Sequence, residues 1–334
     1  MKRRLAALAQ VLLGGGILAY IFLRLQRDGS LEKLRQALAG AAANWPLLAV
    51  AAALFGACLF FCTARWWLLL RAQALILPFR RAAALYLVGH FFNAFLFGAT
   101  GGDLIKAYYV ARETRHRRAE VVSTVFIDRI IGLLAQVLLA LAVIVLRLPF
   151  FLRHPALRAA LVFNLAVAGA AGLGLALVVS RSRFERWPLF RRLEQRTRLG
   201  QLLGRAHAAF DGCLRNRALV FQVLALSLLN HLGGIGMALY LGLALGLPLG
   251  FVDYLTVLPT INAVACIPIT PSGLGTRESA AIYIFGALGV GAAAAVLLSL
   301  LLYATVLLWS LAGGLAYVAF LWLDERAAPQ LDAT

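Results

Sequence analysis

Long apolar stretches separated by short polar segments make up most of the chain. Six of them approach or exceed the roughly 20 residues that a helix needs to cross the hydrocarbon core of a bilayer. The pattern therefore predicts an all-α polytopic membrane protein with about six full transmembrane helices. The predicted spans are residues 5–23, 47–70, 119–146, 159–180, 219–245 and 293–323.

Two further apolar regions, 82–111 and 253–290, are interrupted near their middle by helix-breaking residues. Proline removes a helical hydrogen bond and glycine weakens a helix, so each region is predicted to form two helices joined by a break. The breaking residues are Gly98, Gly101 and Gly102 in the first region, and Pro268, Pro271, Gly273 and Gly275 in the second.

The distribution of Lys and Arg predicts the orientation of these segments. Basic residues stand both before and after 82–111, and basic flanks favour the cytoplasmic side. We therefore expect a re-entrant hairpin at 82–111, with the basic loop 181–218 and both termini in the cytoplasm. Region 253–290 would then enter from the opposite face. Two full spans in place of each hairpin are an open alternative.

Paired interrupted segments that enter from opposite faces are typical of transporters built from inverted repeats. The two regions also share a loose pattern, in which Asn-Ala, an apolar stretch and a break precede charged residues. The prediction is one integral membrane domain, 1–334, of eight or more membrane segments in the cytoplasmic (inner) membrane. The oligomeric state is left open.

Composition agrees with this architecture. The chain is 62% hydrophobic and 14% charged, whereas soluble domains are about 25% charged. The net charge of +18 comes from basic residues that flank apolar segments, which indicates contact with anionic lipid and not with nucleic acid. No metal-ligand spacing and no cofactor motif is present in the sequence. Cys58 and Cys62 share a helix face and are expected to pack there.

Six ionisable residues fall at predicted membrane depth, and their charges sum to zero: Asp103, Lys106, Asp128, Arg129, Arg277 and Glu278. Each charge costs about 2.5–3.5 kcal/mol at the bilayer centre, so the six must face one another or a wet cavity. The preferred pair is Asp103 with Arg129, and Lys106 near Asp128 comes second. These charges either brace the hairpins structurally or bind a substrate.

The functional interpretation is stronger for Lys106 and Arg277. Both follow a break, where the unpaired N–H groups of a new helix and its dipole favour an anion such as phosphate. Other polar residues are weaker candidates for the same cavity. They are His90 and Asn93 on one face of the first hairpin, Asn262 in the second, and the hydroxyls of Ser272 and Thr276. Trp66 and Trp67 suit an interfacial position.

Three segments resemble a family of flippase-like membrane proteins related to the transmembrane region of lysylphosphatidylglycerol synthases. They are GGDLIKAYYVARE (101–113), VVSTVFIDRIIGLLAQ (121–136) and IPITPSGLGTRESAAIYIFGALGV (267–290). The resemblance implies movement of a lipid with an anionic or aminoacylated headgroup between leaflets. It carries the family's motifs onto Gly101-Gly102-Asp103, Asp128-Arg129, and Gly273 to Glu278. The aminoacyltransferase domain of the synthases is not expected in this chain.

The first hypothesis is therefore a lipid translocase without cofactors. Its substrate would be an anionic phospholipid, an aminoacylated lipid or a polyprenyl-phosphate-linked lipid. Alternatives are a small-anion permease, a non-transporting partner of a lipid- or glycan-modifying enzyme, and a membrane enzyme that uses Asp103 with His90.

Overall fold

The computed structural model describes residues 16, 19–23, 26–27, 30–95, 101–114, 118–179, 212, 216–265, 270 and 275–327. Within these ranges the chain is helical and contains no strand. The helices are α1 (Ser30–Ala43), α2 (Trp45–Ala72), α3 (Phe79–Phe95), α4 (Gly101–Glu113), α5 (Arg118–Arg153), α6 (Pro155–Val179), α7 (Arg217–Ala244), α8 (Phe251–Ala265), α9 (Thr276–Gly286) and α10 (Ala292–Ala327).

Among the described residues, five helices are long and apolar enough to cross a membrane, and they match five of the six predicted spans. They are Trp45–Ala72, Glu120–Arg153, Pro155–Leu173, Arg217–Ala244 and Ala292–Val318. Most of the sixth predicted span, 5–23, lies outside the described residues, as does most of the predicted basic loop 181–218. Between the first two predicted spans, Ser30–Ala43 forms α1, which packs against α10.

The two interrupted regions form two helical hairpins. In the first, Arg81 near the start of α3 donates from Nε to the carboxylate of Glu113 at the end of α4, at 2.8 Å. In the second, Tyr254 near the start of α8 packs its ring on Phe285 near the end of α9, with 6.0 Å between ring centroids. The ends of each helix pair therefore meet, so α3–α4 and α8–α9 are antiparallel.

Helices α2 and α7 pack against each other in opposite directions. Asn44 donates to the carbonyl of Ala244 at 3.4 Å, near the start of α2 and the end of α7. Further along α2, the Cys58 thiol donates to the carbonyl of Asn230 at 3.3 Å. Residue numbers rise along α2 as they fall along α7, so the two helices are antiparallel.

Helices α2–α5 and α7–α10 follow a similar order of lengths and contacts. Both α2 and α7 contain 28 residues, and both α5 and α10 contain 36. Each hairpin packs against the first helix of its own half, and its first helix also packs against the last helix of the other half. Since α2 and α7 are antiparallel, the two sets of helices start in opposite directions.

The connections that lead into the two hairpins have the same backbone geometry. Leu75 donates its N–H to the carbonyl of Leu70, and Leu247 donates its N–H to that of Gly242, both at 2.9 Å. The residue before each donor is left-handed, with φ of 54° at Ala74 and 68° at Gly246. This helix-ending turn is the Schellman type, in which glycine is the usual left-handed residue.

The two hairpins can be aligned by the first residue of α3 and of α8. This alignment differs from the one that the shared Asn-Ala pattern suggests. Counted from Phe79 and Phe251, Asn262 of α8 corresponds to His90 of α3. Asn93 lies one helical turn further and corresponds to Ala265. The shared Asn-Ala pair is therefore offset by a turn, and that part of the sequence comparison was wrong.

Helix α6 follows α5 after His154 alone and turns back against it. α5 is kinked at Arg147, whose φ of −121° and ψ of 23° are not helical, two residues before Pro149. The predicted span ended at residue 146, but the helix resumes beyond the kink and ends at Arg153. Asn164 of α6 donates to the Thr260 hydroxyl of α8 at 2.6 Å, which fixes α6 to the second hairpin.

The first hairpin depends on a close approach between α3 and α4. A Cβ atom added at Gly102 would collide with the backbone carbonyl of Gly89, so alanine does not fit there without a backbone shift. We expect Gly102→Ala to lower the free energy of unfolding by about 1–3 kcal/mol, the usual cost of overpacking. Thermal unfolding of the purified protein measures this.

Gly169→Ala is the matched control, because an added Cβ at Gly169 in α6 meets nothing within 4 Å. It should leave the unfolding temperature unchanged or raise it, since alanine is the better helix former. Equal unfolding temperatures for the two variants would contradict the packing of the first hairpin.

Candidate functional site

Asp103 is the third residue of α4 and binds two cations. Arg129 of α5 donates from Nε to Asp103 Oδ2 at 2.6 Å, and Lys106 Nζ lies 3.1 Å from Asp103 Oδ1. The predicted Asp103–Arg129 pair is confirmed. Lys106 binds Asp103 one turn earlier on its own helix, so its expected position near Asp128 was wrong. We call Asp103, Lys106 and Arg129 the first-hairpin cluster.

The ammonium group of Lys106 is enclosed by aromatic rings. Nζ lies 4.5 Å from the ring centroid of Trp66 on α2 and 4.6 Å from that of Tyr86 on α3. Trp66 is fully buried and directs its indole N–H to the Thr124 hydroxyl of α5 at 3.3 Å. Trp66 therefore does not anchor the bundle in lipid as predicted, because its ring packs inside the bundle against a buried cation.

Asn93 and His90 lie near the tip of the first hairpin. The Asn93 side-chain oxygen accepts the backbone N–H of Gly102 at 2.8 Å, which ties the end of α3 to the start of α4. His90 packs its ring on Phe55 of α2, and among the described residues its buried Nε2 has no hydrogen-bond partner. Of the predicted breaks of this hairpin, Gly101 and Gly102 begin α4, and Gly98 lies outside the described residues.

Asp128 pairs with Arg65, a residue that the sequence analysis missed. Arg65 Nε donates to Asp128 Oδ1 at 2.7 Å, and Arg65 Nη1 donates to the Ser227 hydroxyl of α7 at 2.9 Å. Both charged side chains are buried. This triad joins α2, α5 and α7, and His231 of α7 adds a hydrogen bond of 3.0 Å to the carbonyl of Gly132 in α5. Through Arg65, Asp128 therefore links α5 to α2 and α7.

A signal for Arg65 was present in the sequence. Arg65 stands in an apolar stretch, but Arg71 and two tryptophans follow closely, so the segment resembled the end of a span. Because Asp128 needed a cation that neighbouring Arg129 could not supply, Arg65 was available as its partner. With Arg65 included, the charges at predicted membrane depth sum to +1 and not to zero.

The second hairpin has its own cluster at the start of α9. Glu278 is completely buried and accepts the backbone N–H of Gly275 at 2.6 Å and the Ser299 hydroxyl of α10 at 2.8 Å. Arg277 donates from Nη2 to the same carboxylate at 2.7 Å, and its guanidinium lies 5.1 Å from the Tyr303 ring centroid. Arg277 and Glu278 with these contacts form the second-hairpin cluster.

Other predicted residues of this region have mixed outcomes. Thr276 lies 3.3 Å from the Thr270 hydroxyl, and Asn262 lies on an exposed part of α8. Gly275 has φ of 86°, a conformation that favours glycine, directly before α9. The remaining predicted residues lie outside the described residues: Pro268, Pro271, Ser272 and Gly273.

Asp103 and Glu278 occupy equivalent positions, since each is the third residue of the second helix of its hairpin. A carboxylate in this first turn is favoured by the unpaired N–H groups and by the helix dipole. α10 connects the two hairpins, because Tyr303 contacts Arg277 and Tyr317 packs its ring on Phe92 of α3, with 5.0 Å between ring centroids. Both hairpins are therefore held along one helix.

The chain matches the family described as the lysylphosphatidylglycerol synthase TM region over residues 8–314. The chain belongs to this family. Comparisons with curated proteins and with solved structures found no match. Membership in the lysylphosphatidylglycerol synthase TM-region family, together with the apolar helices, indicates a multi-pass membrane domain related to lipid handling.

The Arg65–Asp128 pair gives a prediction that separates bracing from substrate binding. Asp128→Leu or Arg65→Met alone should lower the free energy of unfolding by about 3–5 kcal/mol, because each leaves a buried charge without its partner. The double variant Arg65→Met with Asp128→Leu should recover most of that loss. Thermal unfolding of the four proteins provides the double-mutant cycle, and additive losses would contradict the brace.

Proposed function

We propose that this protein is a lipid translocase, which moves a lipid with an anionic or modified headgroup between the leaflets of the cytoplasmic membrane. One observation supports this most directly. Two inverted hairpins each hold a carboxylate and at least one cation at the start of their second helix, inside a bundle of apolar helices. Charges at such positions are expensive, and in transporters they mark the path of a polar substrate.

The lengths of the hairpin helices support re-entrant segments. At 1.5 Å per residue, α4 with 13 residues is about 20 Å long and α9 with 11 residues is about 17 Å long. Both are shorter than the roughly 30 Å of a bilayer core. In this proposal each hairpin enters from one face and returns to it, and the two hairpins enter from opposite faces.

Inverted hairpins suit the transfer of a headgroup. The breaks would lie near the bilayer midplane, where helix starts and fixed charges replace the water that surrounds a headgroup in solution. The acyl or isoprenoid tails would stay in the lipid throughout. The distribution of Lys and Arg supports cytoplasmic termini in this arrangement. A lipid-modifying enzyme would supply the substrate if the headgroup is aminoacylated.

Translocation can be tested in liposomes that contain the purified protein and a fluorescent phosphatidylglycerol, with a membrane-impermeant quencher to report the outer leaflet. We expect the wild-type protein to equilibrate the probe between leaflets. Asp103→Asn, Arg129→Ala and Arg277→Ala should each slow this by roughly tenfold or more, equivalent to about 1.4 kcal/mol or more in the barrier.

Glu113→Gln is the control, since it removes a partly exposed ion pair at the base of the first hairpin. Such pairs contribute about 0–1 kcal/mol to stability, so the variant should translocate lipid at close to the wild-type rate. Unchanged rates in all three cluster variants would refute the translocase. Inhibition by inorganic phosphate, with transport of free phosphate into the liposomes, would favour a small-anion permease instead.

A further inference from the structure

The first helix of the second hairpin, α8, begins with polar contacts to α5. Arg147 of α5 donates from Nη1 to Asp253 Oδ1 at 3.1 Å and to the Thr256 hydroxyl at 3.2 Å. The side chains of Arg147 and Asp253 are both partly exposed, at 29% and 28%. This end of the contact between α8 and α5 therefore reaches the surface of the bundle.

The contact stays polar further along α8, inside the bundle. Gln136 of α5 donates to the Pro259 carbonyl at 3.0 Å, and Asn164 of α6 donates to the Thr260 hydroxyl at 2.6 Å. Asn164 and Thr260 are both buried. Thr260 lies about two helical turns, or roughly 10 Å, beyond the start of the contact. We call this row of contacts the polar seam. Its members are Gln136, Arg147 and Asn164 on one side and Asp253, Thr256, Pro259 and Thr260 on the other.

Both walls of the polar seam contain a proline. Pro259 lies inside α8 and has no N–H, so the Leu255 carbonyl one turn earlier loses its helical donor. α5 is kinked at Arg147, two residues before Pro149. Helices bend where their ladder of hydrogen bonds is interrupted. Each wall of the seam therefore has its own hinge position.

The corresponding contact of the first hairpin, between α3 and α10, is packed differently. Gly313 of α10 lies against the backbone carbonyl of Leu87, where an added Cβ would collide. Five residues after Leu87, Phe92 packs its ring edge-on against Tyr317 of α10. Neither α3 nor α10 contains a proline within its described length. These two helices therefore fit closely and lack the hinge positions of the polar seam.

The same contrast holds for single positions. Counted from Phe79 and Phe251, Thr260 of α8 corresponds to Val88 of α3. The exposed fraction is 2% for Thr260 and 0% for Val88, so both are buried. However, the Thr260 hydroxyl can exchange its partner for a water molecule, whereas the side chain of Val88 cannot bind water. Polar contacts between helices in a membrane contribute little net free energy, because other polar partners replace them.

We infer that the second hairpin is the moving gate of this protein. It separates from α5 and α6 along the polar seam and admits water as far as Thr260, while the first hairpin stays packed on α10. The separation is favourable enough to occur because water replaces each polar contact that is lost. This inference rests on the proposed translocation, to which it adds which of the two hairpins moves.

Cysteine labelling tests the gate without a transported lipid. The four native cysteines are replaced by alanine, and Thr260→Cys or Val88→Cys is added to that background. A charged, membrane-impermeant methanethiosulfonate is present on both sides of liposomes that contain the protein. We expect Thr260→Cys to react roughly tenfold faster or more, since both positions are buried and only the seam opens to water. Equal rates, or faster reaction of Val88→Cys, would overturn the inference.

Hydrogen–deuterium exchange of the wild-type protein is a second measurement that needs no substitution. Backbone amides that open to water exchange faster than those that stay packed. The amides of α8 and α9 should therefore exchange roughly tenfold faster or more than those of α3 and α4. Equal exchange in the two hairpins would contradict the gate, whether or not the cysteine variants fold.

A dry seam should slow translocation. Asn164→Leu with Thr260→Val replaces one polar contact of the seam with an apolar contact that water cannot replace, so opening becomes more costly. In the liposome assay with fluorescent phosphatidylglycerol, we expect the rate to fall roughly fivefold or more. The unfolding temperature should equal or exceed that of the wild-type protein. An unchanged rate would contradict opening along this seam.

Thr305→Val is the matched control for the double variant. Thr305 is a buried threonine of α10, and its hydroxyl donates within its own helix to the Leu301 carbonyl at 2.9 Å. Its replacement should change the rate less than twofold. A loss as large as that of the double variant would show a general response to buried threonine and overturn the reading of the seam.

The gate and the translocase fail in different ways. Fast labelling of Thr260→Cys, in a protein that moves no lipid between leaflets, would leave the gate standing and refute the translocase. Translocation by a protein in which Thr260→Cys reacts no faster than Val88→Cys would refute the gate and leave the translocase standing.

Discussion

The antiparallel contact between α2 and α7 is the constraint on which the rest of the structure depends. It requires small side chains, and a Cβ added at Gly233 would lie 2.7 Å from the sulfur of Cys58. It also brings Ser227 within reach of Arg65, which in turn holds Asp128 on α5. Once these helices are fixed, each hairpin has one place to pack, between the first helix of its own half and the last helix of the other.

The charged groups follow from this packing and from the physics of helix starts. A chain that breaks inside an apolar bundle exposes N–H groups that need acceptors, and a carboxylate three residues into the new helix supplies them. Glu278 does this directly for Gly275. Each carboxylate then needs a cation. The second hairpin takes one from the preceding residue, whereas the first takes one from its own helix and another from α5, so the clusters differ in net charge although their positions are equivalent.

Hydrophobic run length predicted five spans that the structure contains, and breaker residues predicted both hairpins. The Asp103–Arg129 pair followed from the need to compensate buried charge. Arg65 was missed because basic and aromatic residues near the end of a span are typical of the interface, and only the packing of α2 against α5 shows that it is buried. The equivalence of Asn262 with His90 was missed for a related reason, since short sequence matches do not define where a helix begins.

Helix α6 has no counterpart among the described helices of the second half. Its effect follows from the number of times that each helix crosses the bundle from one side to the other. α2 and α5 each cross the bundle once, and a hairpin brings the chain back to the side from which it left. A unit made of α2, the hairpin and α5 therefore ends on the side of the bundle on which it began. A second unit joined directly to α5 would run parallel to the first unit. α6 adds one traverse, so α7 starts from the opposite side. In the proposed arrangement, a single inserted helix thus lets two successive units of similar design run in opposite directions.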